Sequence, residues 1–264
     1  MLPAGWIPTS VGCPRGPCQN GVHRDAPDPG PCRSRSARCR SSPIRPGDHP
    51  VRARLRPMTD PDPRVAWTTW LAALDAAGYP ASENARPSAA PADVDAAEVV
   101  FGSPFPAALR ALYLLCDGQW NDHPRVPGYK PDRFTSLFPA TYRMLPVAEA
   151  VVIYRGWLDV LEDGSHDHVT VRAGDPVRAR YWDAGWWPLA LDGGGNALAV
   201  DVVPEPGGDV GQVVVAGPDE DERRRVGAGV TDYLRRLAAS ALPAPQDPDP
   251  GGSSYCFWDL PDLR

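Results

Sequence analysis

His166 and His168 flank Asp167, with Asp163 just upstream. Two imidazoles at this spacing can fill two positions around a metal, but a catalytic zinc needs a third protein ligand. The sequence names none, and the stretch reads equally well as a solvated loop. Nearer the N-terminus, Cys13, Cys18, Cys32 and Cys39 stand with His23 and His49 in C-x4-C and C-x6-C spacings. Structural zinc pairs are tighter, and no apolar core accompanies these. His123 follows Asp122, yet there is no G-x-S-x-G elbow and no H-E-x-x-H helix. The run Gly193-Gly194-Gly195 invites a phosphate loop. It lacks the following Lys-Ser/Thr, and a strand pattern rather than a helix comes next. No catalytic residue, metal ligand or cofactor site is therefore assigned, no cofactor is expected, and the residues by themselves leave an enzyme unsupported.

Composition divides the 264 residues into unlike parts. Residues 1–57 hold ten arginines against three aspartates and no glutamate, a net +7, with 11 of the 33 prolines. Residues 58–264 hold the other 17 basic and 30 acidic residues, a net −13. The basic leader shows no periodicity and too little apolar surface to offset chain entropy, so it is expected to be disordered. Twenty-six arginines against the one lysine, Lys130, point to GC-rich coding DNA. Met58 stands just ahead of the first good helix, and translation is expected to begin there. An acidic body disfavours bare nucleic acid as a partner and speeds association with a basic protein. No apolar run reaches the roughly 18 residues of a membrane span, and no signal pattern opens the chain. A cytoplasmic location is expected.

The elements follow from periodicity. Asp62 and Pro63 open a helix, Trp67, Trp70, Leu71 and Leu74 form its core stripe, and Gly78 ends it. Residues 79–91 read as a loop. Further helices are expected over 92–101, from Pro106 through Cys116, over 147–160 and over 223–239. Strands are expected over 186–190, 197–202 and 212–215, joined by glycine turns, which makes an antiparallel meander. Helices, then a meander, then a helix specify an α+β domain. Residues 58–242 form that domain and 243–264 a linker and aromatic tail, whose Tyr255, Phe257 and Trp258 dock back as an extra strand or serve as a short recognition segment.

Several stretches together resemble the SUKH superfamily, named partly for yeast cell-wall-synthesis regulators of the SMI/KNR type. Phe105-Pro106 opening a helix that closes on Asp117-Gly118 is similar to its "LP…(N/D)G" helix. Leu137-Phe138 and Leu145-Pro146 through Ala150 match its "LF…LPLxEA" segment. Trp186-x-Pro188 running to Gly195-Asn196 matches its hairpin, with Leu198 to Asp201, Gly211 to Val213 and Tyr233-Leu234 following in order. The likeness covers about 64–240. It implies an α+β binding domain without catalysis. Bacterial members are similar to immunity proteins that neutralise polymorphic toxins, so the expected partner is a basic toxin domain. The alternatives are a regulatory module for cell-wall synthesis and a metal-dependent hydrolase using His166 and His168. The expected contact surface is the sheet face, its Trp-rich hairpin and the loop after Asp117, with Trp120, Trp182, Asp183, Trp187 and Asp192. Asp117, Gly118, Gly195 and Asp201 are expected to shape turns beside it. The sequence leaves the oligomeric state open.

Overall fold

Pro63 sets the first turn of α1 (Arg64–Ala76), and the Asp62 carboxylate accepts the Arg64 N–H at 2.9 Å. In the computed structural model, residues 62–120, 134–162, 169–245 and 255–264 are described. All belong to one unit, Ala53–Arg264. His123, His166, His168 and the four N-terminal cysteines lie outside the described residues, as does the basic leader. Trp67, Trp70 and Leu74 of α1 are buried as their spacing predicts.

Among the described residues the remaining α-helices are α2 (Ala81–Asn84), α3 (Pro91–Phe101), α4 (Ala107–Tyr113), α5 (Val147–Glu162) and α6 (Val230–Ala239), and Pro261–Leu263 forms a 3-10 turn. A short α2 replaces part of the loop expected over 79–91. Gly102, at φ +80°, stops α3 in the left-handed region. None of these helices is long and apolar enough to cross a membrane.

Among the described residues six strands form one mixed sheet: β1 (Arg143–Met144), β2 (Thr170–Val171), β3 (Trp186–Leu191), β4 (Ala197–Asp201), β5 (Gln212–Ala216) and β6 (Glu222–Gly227), in the order β1-β3-β4-β5-β6-β2. The antiparallel meander holds from β3 to β6, while β2 joins β6 in parallel. Pro188 lies at a bulge in the β3–β4 register, a place where its missing N–H is tolerated.

One element departs from the sequence expectation. The helix expected over 223–239 begins at Val230, and its first turns are β6 instead. Gly227 and Gly229 interrupt helical continuity, and the open edge of β5 offers 222–227 a ladder. Gly227 also permits a close approach, since a Cβ there would meet the Cβ of Tyr233 at 2.7 Å.

The sheet is buried on both faces. Trp187, Leu198, Val200, Val213 and Val215 point into the large core beneath the helices. Trp186, Ala197, Ala199, Val214 and Ala216 point the other way, where Val177 and Trp182 cover them and Trp157 packs against them. The tail completes the large core through Cys256, Trp258 and Leu263.

Candidate functional site

Three segments meet around a cleft of about 770 Å³. They are the α3–α4 connection, the turn entering β3 and the loop leaving β4. Phe101 and Phe105 form its aromatic floor, and Pro104, Val203 and Val210 its apolar walls. Ser103 and Asp183 are the polar side chains among its lining residues. Val210 is 46% exposed at the rim of the cleft.

The floor is held from behind. Trp187 packs against Phe105 at 4.6 Å and Phe101 at 5.5 Å between ring centroids. Its indole N–H donates to the Tyr113 hydroxyl at 3.0 Å. Burial raises the Tyr113 pKa, so this hydroxyl stays neutral. Tyr154 crosses Phe101 at 5.4 Å and donates its hydroxyl to the Ala184 carbonyl at 2.8 Å. Glu98 fixes the α3–α4 connection, accepting the Phe105 N–H at 2.9 Å and the Arg110 guanidinium at 2.9 Å.

Asp183 shapes the wall rather than projecting from it. One carboxylate oxygen accepts the Gly185 N–H at 2.8 Å, and the other lies 3.1 Å from Arg178 and 3.5 Å from Arg180. Gly185 has no room for a side chain, because a Cβ would sit 2.2 Å from a Val203 methyl. Behind this wall Asp201 is fully buried. It accepts the Val203 N–H and the Gln212 amide, each at 2.8 Å. Burial pushes its carboxyl up to about 6, with the Asp183 charge adding to the rise.

The expected contact residues fall into separate settings. Trp182 and Trp187 are fully buried on opposite faces of the sheet, so neither indole can touch a partner directly. The expected open sheet face is likewise covered, because 176–182 and the end of α5 close it. Adjacent tryptophans in a strand must point to opposite faces, and here both faces are core. Asp183 lies at the cleft, although only 4% exposed. Asp192 turns inward: its carboxylate accepts the Gly194 and Asn196 N–H groups and the Asn196 amide, each at 2.8 Å. Gly195 completes that β3–β4 turn at φ +93°.

Trp120, Asp117 and Gly118 gather at the start of α5. Asp117 accepts the Val147 N–H at 2.8 Å, capping the helix, and meets Arg86 at 3.4 Å. The Arg86 guanidinium lies 4.7 Å from the centroid of the half-buried Trp120 ring. Gly118 is at φ +74°, and a Cβ there would lie 2.3 Å from the Pro146 nitrogen.

The cleft residues Phe101, Ser103, Pro104, Val203 and Val210 were not singled out from the sequence. The available signal was Pro104-Phe105-Pro106 after the Gly102 stop, which fixes an extended apolar turn. Among the described residues no group of three or more His, Cys, Asp or Glu side chains could hold a metal ion. The Cys116 thiol is buried and pushed up to about 12, which suits packing better than nucleophilic chemistry.

The profile of the SMI1 / KNR4 family (SUKH-1) matches residues 88–236. Over 62 residues the chain is 40% identical to the "Cell wall biosynthesis/cell cycle regulator smi1" of Schizosaccharomyces pombe. It is 37% identical to the "Glucan synthesis regulatory protein" of Neurospora crassa and 36% to the "KNR4/SMI1 homolog" of Kluyveromyces lactis, again over 62 residues. Each alignment covers 24% of this chain and 12% of the relative. The match thus spans about an eighth of the length of these curated relatives. The chain belongs to the SMI1 / KNR4 family (SUKH-1), and the matched region contains α3 to β6 and the whole cleft.

Proposed function

We propose that this chain is a non-catalytic protein-binding domain that takes a segment of its partner into the cleft. The observation that carries this reading is the cleft itself: an aromatic floor, apolar walls and an exposed Val210 beside one buried carboxylate. Such a surface receives an apolar side chain and excludes water around it. The perturbed groups nearby, Asp201 and Tyr113, are engaged in structural hydrogen bonds, which favours binding over catalysis.

The partner proposed is a basic toxin domain, making this chain an immunity protein. The net −13 over residues 58–264 favours a basic partner through long-range attraction. A second reading, regulation of cell-wall synthesis, is favoured by the functions that the names of the fungal relatives state.

The test is capture in the native host with the tagged full chain, alongside Val210→Asp and Ser103→Arg variants. A stoichiometric basic toxin domain, retained by the parent chain and lost from both folded variants, is the expected result. Envelope-synthesis enzymes captured instead, and lost from the same variants, would move the assignment to the regulator. Capture unaffected by both variants would remove the cleft from the interface.

A further inference from the structure

The family match covers 88–236, so α1 and the segment 255–264 both lie outside it, yet they meet. Trp258 is 1% exposed and stands edge-on to Trp70, with ring centroids 5.4 Å apart; Tyr79 closes the slot at 6.1 Å. Its indole N–H donates to the Thr135 hydroxyl at 3.0 Å and the Ser136 carbonyl at 3.1 Å. The Thr135 hydroxyl in turn donates to the Cys256 carbonyl at 3.1 Å, and the Cys256 N–H reaches the Phe134 carbonyl at 2.6 Å. The hydroxyls of Ser136 and Tyr255 lie 2.7 Å apart. At the far end Tyr233 donates to the Leu263 carbonyl and Arg224 to the Arg264 carbonyl, each at 2.8 Å.

This pattern is that of a receptor holding a peptide. One large side chain is anchored in a pocket, and separate donors read carbonyls on either side of it. Segment 255–264 adds no strand to the sheet. Its backbone pairs as one isolated parallel bridge, Phe134 with Tyr255. It is joined to the domain through 246–254, a run of Pro, Asp, Gly and Ser after Gln246.

We propose that this groove is a peptide-docking site distinct from the cleft, filled in cis by residues 255–264. In trans it accepts a partner segment of the same chemistry: anchored by a tryptophan, with an aromatic residue three positions before it and a 3-10 turn of the Pro261–Leu263 kind after it. A tethered tail competes at an effective concentration in the millimolar range. The trans segment therefore enters when its protein is already held by another contact or when the tail is withdrawn.

The test uses a fluorescent peptide of residues 255–264 and measures its anisotropy against three proteins. These are the full chain, its Trp258→Ala variant, and the full chain cut at a protease site placed within 246–254. The peptide should bind the variant roughly a hundredfold more tightly than the parent, and should exchange into the cut chain. A peptide with Trp258 replaced by alanine should bind neither. If the variant is folded by circular dichroism and neither it nor the cut chain takes up peptide, the groove is closed core and the proposal fails. If Trp258→Ala does not fold, the cut chain decides. Exchange without loss of fold supports docking; a tail that never exchanges, or leaves only on unfolding, overturns it. None of these outcomes depends on the cleft or on what binds there.

Discussion

The two faces of the sheet are both buried but are built by different means. On the helix side, Trp187, Leu198, Val200, Val213 and Val215 meet periodic apolar stripes. Two indole N–H groups there find partners, Trp70 on the Leu137 carbonyl and Trp187 on Tyr113. On the other side the cover is an irregular segment carrying Val177 and Trp182, and the indole N–H groups of Trp182 and Trp186 have no hydrogen-bond partner among the described residues. Arg223, fully buried, ties this cover down. Its guanidinium donates to the carbonyls of Arg180 at 3.0 Å, Tyr181 at 2.7 Å and Gly217 at 3.3 Å, and to that of Glu220. Burial lowers its pKa to about 10. One face is held by area, the other by a few directional bonds. A loss from the first should scale with volume removed, and a loss from the second with donors removed.

Trp187→Ala tests the volume side and should have the largest effect. It should cost about 4 to 5 kcal/mol and lower the thermal midpoint steeply, as expected for a large aromatic residue in a closed core. Denaturant titration checks this, and a loss below about 1 kcal/mol would break the contrast.

Arg223→Ala tests the donor side. It should cost about 3 to 4 kcal/mol by leaving buried carbonyls unpaired. Arg223→Lys should recover only a part, because an ammonium cannot span the four carbonyls that the planar fork reaches. Full rescue by lysine would show that charge, not geometry, holds the cover.

Asp201 makes the second face sensitive to pH. Its folded pKa, about 6, lies above the ordinary 3.8, so the folded state holds the proton more tightly than the unfolded chain. Its contribution is complete below about pH 4 and is lost as pH rises through 6, at most about 3 kcal/mol. Asp201→Asn should flatten the thermal midpoint between pH 4 and 7. An unchanged slope in that variant would assign the dependence elsewhere.

The smallest effect belongs to a site away from both faces. Asp117→Ala removes the cap on α5 and should cost about 1 kcal/mol, read by thermal melting. A much larger loss would mean that the Arg86–Trp120 arrangement depends on it.

The same contrast explains what was legible beforehand. The stripe Trp67, Trp70 and Leu74, the stop at Gly102 and the hairpin around Asp192 are local signals, and the structure places them as expected. The α+β class and the family follow from such signals in order. The cover over Trp186 has no period, since 172–184 forms no helix or strand, and its burial depends on Arg223 some 40 positions away. With both faces of β3 to β5 buried, alternation gave no outward side, and so Trp187 read as an exposed contact, while Trp182 lies in the aperiodic cover itself. Within β6 the Arg223-Arg224-Arg225 run carries no strand pattern, and a helical stripe continued through it. The cleft was illegible for a related reason: Phe105 and Val203 are almost a hundred positions apart and meet only through tertiary folding.

The stacked indoles of Trp157 and Trp182 have an optical consequence. Their rings lie 4.5 Å apart and within 5° of parallel, and Trp186 crosses Trp182 edge-on at 5.8 Å. Electronic transitions at that separation couple, so the second face carries its own signature in near-ultraviolet circular dichroism. Trp157→Phe should remove that signature while leaving the helix-side aromatics untouched. The protein thus contains a native chromophore pair that reports detachment of the cover separately from global melting.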